Sequence, residues 1–229
     1  MRELSECMNF EAVRRDVVPV MVGQHYVDGN PDEVFAVCNQ EAGIYKRFVI
    51  DGEMFGLRNG KIKVTKGMMA AWNESENVQM ADLIRAAEQN SIIRDDCLIS
   101  PMQDMIGFTV NEPGDSGLYV ITNRAKTYGA AAIMLPGVEA ELDEIFPDGH
   151  VILPSSVHEV LAVRKPDNLE DIERLSEMVR QINEMVVEPD EVLANEALVL
   201  RNGKMLSAEK EFARQMEAPQ KRRSTGRTM

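Results

Sequence analysis

The sequence predicts an α+β fold, and three observations carry that prediction. Four strand-like segments, EVFAVCN, IYKRFVI, EMFGLR and KIKVT, follow one another between residues 33 and 65 with turn residues between them. A second group of strand-like segments occupies residues 118–163 and 197–201. One long amphipathic segment, NLEDIERLSEMVRQINEMVV at 168–187, repeats apolar residues at helical spacing. The expected arrangement is an antiparallel β-meander plus a second strand group packed against that long amphipathic helix.

Along the chain, Cys7, Phe10 and Val13 stand three apart and suit a short helix over 6–15. VVPVMV (17–22) reads as a strand, and Pro19, which has no N–H for the ladder, favours a sheet edge. HYVDGNPDE is rich in turn residues and reads as a loop. In the meander (33–65), Asp51-Gly52 and Asn59-Gly60 suit two-residue hairpin turns. GMMAAWNE and QMADLIRAAEQN then predict two helices, the second with Met80, Leu83, Ile84 and Ala87 on one face. Residues 91–117 hold Pro101, Pro113, Gly114 and Gly117 and read as a connector with one short strand.

The second half begins with a strand, LYVIT (118–122), a loop, and a continuously apolar segment AAAIML (130–135) expected as a strand covered on both faces. GVEAELDEIF predicts a helix stopped at Pro147-Asp148-Gly149, and VILP and HEVLAVR predict two more strands. Asn168 is the expected N-cap of the long helix, with Leu169, Ile172, Leu175, Val179, Ile182 and Val186 as its buried stripe. LRNGK recurs at 57–61 and 200–204, which two hairpins sharing one turn chemistry explain. Residues 206–217 suit a helix capped by Ser207, and the tail beyond Ala218 has no apolar residue but the last. The organisation expected is an N-terminal α+β region (1–91), a C-terminal α+β region (92–205), and a short helix with a basic, disordered tail (206–229).

Charge is uneven. The chain carries −13 in all, yet residues 201–229 hold eight lysines and arginines against three glutamates. An acidic body argues against a broad nucleic-acid-binding face, leaving only the basic tail for an anionic partner. No apolar run reaches the roughly 18 residues that span a bilayer, and the first residues lack the apolar core of a signal peptide. Cys7, Cys38 and Cys97 are odd in number and far apart, which suits neither a disulfide framework nor a zinc site and points to a reducing cytoplasm.

None of the common nucleotide, metal or hydrolase motifs occurs, so no cofactor and no metal is implied. The chemistry that remains is in VILPSSVHEVLAV (151–163), where the candidate catalytic residues are Ser155, Ser156, His158 and Glu159. In extended chain Ser156 and His158 share a face, so a nucleophile and its base could meet, while Glu159 points away and an acid must come from elsewhere. The structural alternative is a turn: Pro154 ends a strand, the serines satisfy backbone groups and His158 lies at a strand edge.

LYVITNRAKTYGAAAIMLPGVEAELDEIF, VILPSSVHEVLAV and the helix exit running into PDEVLANEALVL together resemble domain-of-unknown-function family 5688. The matching features are the Thr-Asn…Gly-Ala-Ala strand–loop–strand, the LPSS-HE turn and the PDEVL exit. The resemblance covers about residues 92–200, extends weakly to IKVTKGMMAAW, and departs at the N-terminus and in the basic tail. It implies a bacterial protein, abundant in gut anaerobes and often carried on mobile elements, and it implies no activity. The function expected is a non-enzymatic accessory or regulatory protein working by protein–protein contact in the cytoplasm. The alternatives are a hydrolase using Ser156 and His158, and an acidic inhibitor that mimics nucleic acid.

Overall fold

Asp16 and Asp51 set the register of the first sheet. The Asp51 N–H donates to the Asp16 carbonyl at 3.0 Å, and the strands then run antiparallel from Val17 opposite Ile50 to Gly23 opposite Ile44. In that ladder Val18 and Val20 turn their backbone groups inward, and Pro19 turns its missing N–H outward, where nothing is lost. A computed structural model describes residues 3–52, 55–57, 60–94, 97–105 and 117–224, with side chains omitted at 105 and 217–224.

A 3-10 turn at Leu4–Met8 leads into α1 (Phe10–Val13), then β1 (Val17–Gly23), α2 (Gln24–Gly29), β2 (Phe35–Asn39), β3 (Ile44–Asp51) and β4 (Lys61–Lys63). β3 is central, with β1 on one side and β2 and β4 sharing the other. Helices α3 (Lys66–Glu76) and α4 (Met80–Ile93) cover one face. There Phe48 and Ile50 pack with Trp72, Leu83 and Ala87, together with Cys7, Phe10 and Val13 from the N-terminus. Thr65 caps α3 through a bond from the Met68 N–H, and the Trp72 indole donates to the Cys7 carbonyl.

After β5 (Leu98–Pro101) and α5 (Met102–Met105) come β6 (Leu118–Thr122), a 3-10 segment (Gly129–Met134), α6 (Val138–Ile145), β7 (His150–Leu153) and β8 (Val160–Arg164). The long helix α7 (Leu169–Val186), β9 (Leu198–Arg201), β10 (Lys204–Ser207) and α8 (Ala208–Ser224) complete the chain. The second sheet runs β10-β9-β7-β8-β6-β5, antiparallel throughout. Alternation sorts its side chains: Val151, Leu153 and Val199 face Ile172 and Val179 of α7, while Ile152, Val160 and Leu198 face Ile133 and Leu142. Met21 and Ile44 of the first sheet join that second cluster, so the regions drawn on either side of residue 91 share a core, and residue 91 itself lies within α4. The fold is α+β with antiparallel sheets, as the strand and helix patterns predict.

Four local expectations need correction. HYVDGNPDE is not all loop: Gln24–Gly29 is helical, with Tyr26 buried and the Asn30 side chain donating to the Tyr26 carbonyl. EMFGLR is no strand where it is described, because the Phe55 and Leu57 N–H groups both fold back onto the Gly52 carbonyl; Asn59 lies outside the described residues. AAAIML is 3-10 helix, entered through Tyr128 at φ 52° and followed by Gly137 at φ 92°. Alanine has no β-branch to favour a strand there. On α7 the Asn168 cap on Asp171 is present, but the buried stripe departs at Ile182 and Val186, which are exposed while Ser176 and Asn183 are buried. The second LRNGK forms the expected hairpin, with positive φ at both Asn202 and Gly203. Ser207 is the last residue of β10, directly before α8, which runs on to Ser224.

His150 makes stability depend on pH. It is buried beside Phe146, and neither ring nitrogen has a hydrogen bond. Burial pushes its pKa below the usual value, opposed by Asp143 at 3.6 Å. The unfolded chain therefore takes up a proton near pH ~6.5 that the folded chain refuses, so stability is full above that pH and drains as pH falls toward the lowered folded value. His150→Phe is expected to flatten urea-denaturation midpoints between pH 7.5 and 5; an unchanged slope would refute this role.

Candidate functional site

The three segments that carry the family resemblance meet at one junction. The His158 carbonyl accepts from the Thr122 hydroxyl at 2.8 Å and from the Gly129 N–H at 3.0 Å. The Val157 carbonyl accepts from Ala130, and the Val157 N–H donates to the Glu191 carbonyl. Glu191 lies in the PDEVL exit, Thr122 and Gly129 flank the loop between β6 and the 3-10 segment, and His158 lies in the LPSS-HE turn. Each segment thus supplies backbone partners that the others lack.

His158 has both ring nitrogens engaged. Nδ1 accepts from the Tyr128 N–H at 3.1 Å, which places the ring proton on Nε2, 3.2 Å from Glu191 Oε1. Ser156 Oγ accepts from the N–H of His158, and Ser155 Oγ donates to the Glu159 carbonyl at 3.2 Å. Serine catalysis needs a free basic nitrogen facing the hydroxyl. This turn brings the four candidates together yet spends both serines on backbone groups and both histidine nitrogens on Tyr128 and Glu191. Glu191 and Tyr128 are absent from a sequence-based candidate set because they lie 33 and 30 residues from His158. The one available signal was that PDEVL and the Tyr-Gly-Ala-Ala stretch belong to the same three segments.

The Tyr128 ring lies against His158 with centroids 5.1 Å apart, and the Arg47 guanidinium is 5.4 Å from its centre. Arg47 also lies 4.6 Å from the Tyr26 ring, where Glu33 accepts from the Tyr26 hydroxyl at 2.8 Å and pairs with Lys63 at 2.8 Å. Burial is the largest cause raising the Tyr26 pKa. An aromatic and ionic chain thus runs from the first sheet to the junction.

Beside the junction opens a cleft of about 510 Å³ between the first sheet with α4 and the segment 123–135 that follows β6, a size suited to a small molecule. One wall is the edge of β1 at Val18, Pro19 and Val20; the other is Ala131, Met134 and Leu135 of the 3-10 segment. The rim carries Lys46, bonded to Glu88 at 3.0 Å, and Arg94, 3.6 Å from Asp51. Lys61, Asn123 and Thr127 complete the polar side. Cys38 stands near Lys46 and Glu88, and burial pushes its thiol up to about 11, which makes it a poor nucleophile at neutral pH. Among the described residues no group of three or more histidines, cysteines and carboxylates is arranged to hold a metal, and no helix is long and apolar enough to cross a membrane.

Fold and cleft together define an α+β protein with two antiparallel sheets and a cleft beside the edge of the first. The chain belongs to the family of unknown function DUF5688, which it matches over residues 3–199. The match takes in the N-terminal half, beyond the 92–200 region of clear resemblance, and ends before the basic tail. Comparison with curated proteins and with solved structures returns no match.

Proposed function

We propose that the protein is a non-enzymatic binding protein that holds a small ligand in the cleft between its first sheet and the 3-10 segment. The observation that carries this reading is the cleft itself, with apolar walls, a charged rim and one side built from the family junction at Tyr128 and Gly129. The hydrolase alternative is weakened by the occupied nitrogens of His158. A thermal-shift screen against a metabolite library tests the proposal: hits should stabilise the wild type and fail to stabilise Ala131→Trp, which fills the cleft. Hits indifferent to that substitution, or an esterase activity lost in Ser156→Ala, would overturn it.

A second reading, an accessory role through protein contact, is supported by α7. Met178, Ile182, Met185 and Val186 form one stripe, 40%, 40%, 74% and 75% exposed. The two readings are compatible, since no residue of α7 lines the cleft.

A further inference from the structure

We infer that the ligand of the cleft is an amphipathic monoanion, a medium-chain carboxylate with its head at Lys61 and its chain between the apolar walls. This rests on the reading of the cleft as a ligand site and adds the chemistry of the ligand. The walls are the first argument. Val18 and Pro19 on one side and Ala131, Met134 and Leu135 on the other present carbon to the interior, where a methylene chain leaves water.

The rim is the second argument, and it selects the head group. Among the described residues it carries three cations, Lys46, Lys61 and Arg94, and two carboxylates, Asp51 and Glu88. Lys46 is matched to Glu88 and Arg94 to Asp51. Lys61 stands across the β3–β4 ladder from Asp51 and makes no ion pair among the described residues, so the described residues of the rim carry one surplus positive charge. A carboxylate matches that charge one for one. A phosphate-like dianion would have to draw Lys46 or Arg94 from its partner, and an ammonium group would meet the surplus as repulsion. Lys61 is exposed, so the head group stays hydrated at the mouth while the chain enters. Ser91, Asn123 and Thr127 supply neutral hydrogen-bonding groups beside it.

Calorimetric titration of the full chain with decanoate, decylammonium and decanol, each below its micelle concentration, separates the contributions. Decanoate is expected to bind best. Lys61→Gln should weaken decanoate roughly fivefold, the worth of an exposed ion pair, and leave decanol unchanged. Lys204→Gln, on β10 away from the cleft, should change neither. Equal binding of all three compounds, abolished by Ala131→Trp, would overturn the carboxylate assignment and leave the cleft as a ligand site. Decanoate binding that Ala131→Trp leaves intact would overturn the cleft itself, and no decanoate binding at all would overturn the assignment. Co-sedimentation with phosphatidylglycerol vesicles, lost in Lys61→Gln, would assign the charge to a lipid surface instead.

Discussion

Replacing Glu33 with alanine is expected to destabilise the protein by about 3–5 kcal/mol, the cost of leaving a buried charge without its partner. Glu33 and Arg47 are 3% and 5% exposed, and the guanidinium lies 3.6 Å from the carboxylate. Arg47 is held between the Tyr26 and Tyr128 rings, so it has no path to solvent by a simple rotamer change. Glu33 also accepts from the Tyr26 hydroxyl, and its hydrogen bond is the largest cause raising the Lys63 pKa. Removing the carboxylate therefore takes the buried counter-charge from Arg47, the acceptor from the Tyr26 hydroxyl and the ion pair from Lys63, and leaves Arg47 its bond to that hydroxyl. Glu170→Ala, which breaks the exposed pair with Arg174, should cost under about 1 kcal/mol. Urea denaturation of the two variants gives the comparison, and a Glu33→Ala cost no larger than that of Glu170→Ala would show that Arg47 finds water after all. The same substitution should loosen Tyr128 over His158, and with it one wall of the cleft.

How much of this was legible in the sequence follows from the range of the forces involved. The α7 cap at Asn168, the Pro19 edge and the Asn202-Gly203 hairpin are local, set by a side chain and its near neighbours, and each is found where the sequence puts it. AAAIML was misread because a buried 3-10 segment and a buried strand are equally apolar, and the choice was made by hydrogen bonds from Gly129 and Ala130 to a turn almost thirty residues away. The α7 stripe failed at its end for a related reason. Asn183 is buried because its side chain donates to the Ala194 carbonyl, and Ser176 because it bridges Glu209 and the Ala197 N–H. Polar residues satisfied by tertiary partners look like solvent-facing ones to any periodicity count. At the candidate site the serines and His158 were visible as a turn, and their partners Tyr128 and Glu191 were not. The cleft was invisible, since its walls come from an edge strand and a 3-10 segment that carry no catalytic or ligand-binding motif.

Gly129→Ala is expected to be among the most damaging single-methyl additions to this protein. A Cβ at Gly129 would lie 2.3 Å from Thr122 Oγ1, 2.5 Å from the Asn123 nitrogen and 2.8 Å from the His158 carbonyl oxygen. Two of those atoms are backbone, fixed by β6 on one side and by the LPSS-HE turn on the other, so no side-chain rotation relieves the overlap. Relief requires the strand and turn to separate, which would stretch the bonds that the His158 carbonyl accepts from Thr122 and Gly129. Overpacking alone costs about 1–3 kcal/mol, and a lost hydrogen bond to a buried carbonyl adds about 1 more. The sum corresponds to a melting temperature lower by roughly 4–16 °C for a chain of this length. Gly203→Ala provides the contrast: it has φ +66° and nothing within 4 Å of an added Cβ, so only the left-handed conformation is penalised, at about 1 kcal/mol. If Gly129→Ala melts no lower than Gly203→Ala, the junction is not close-packed and the family segments meet there for some other reason. If it melts far lower, the glycine of the Thr-Asn…Gly-Ala-Ala segment is explained by space alone: that segment approaches the turn so closely that only a hydrogen fits between them.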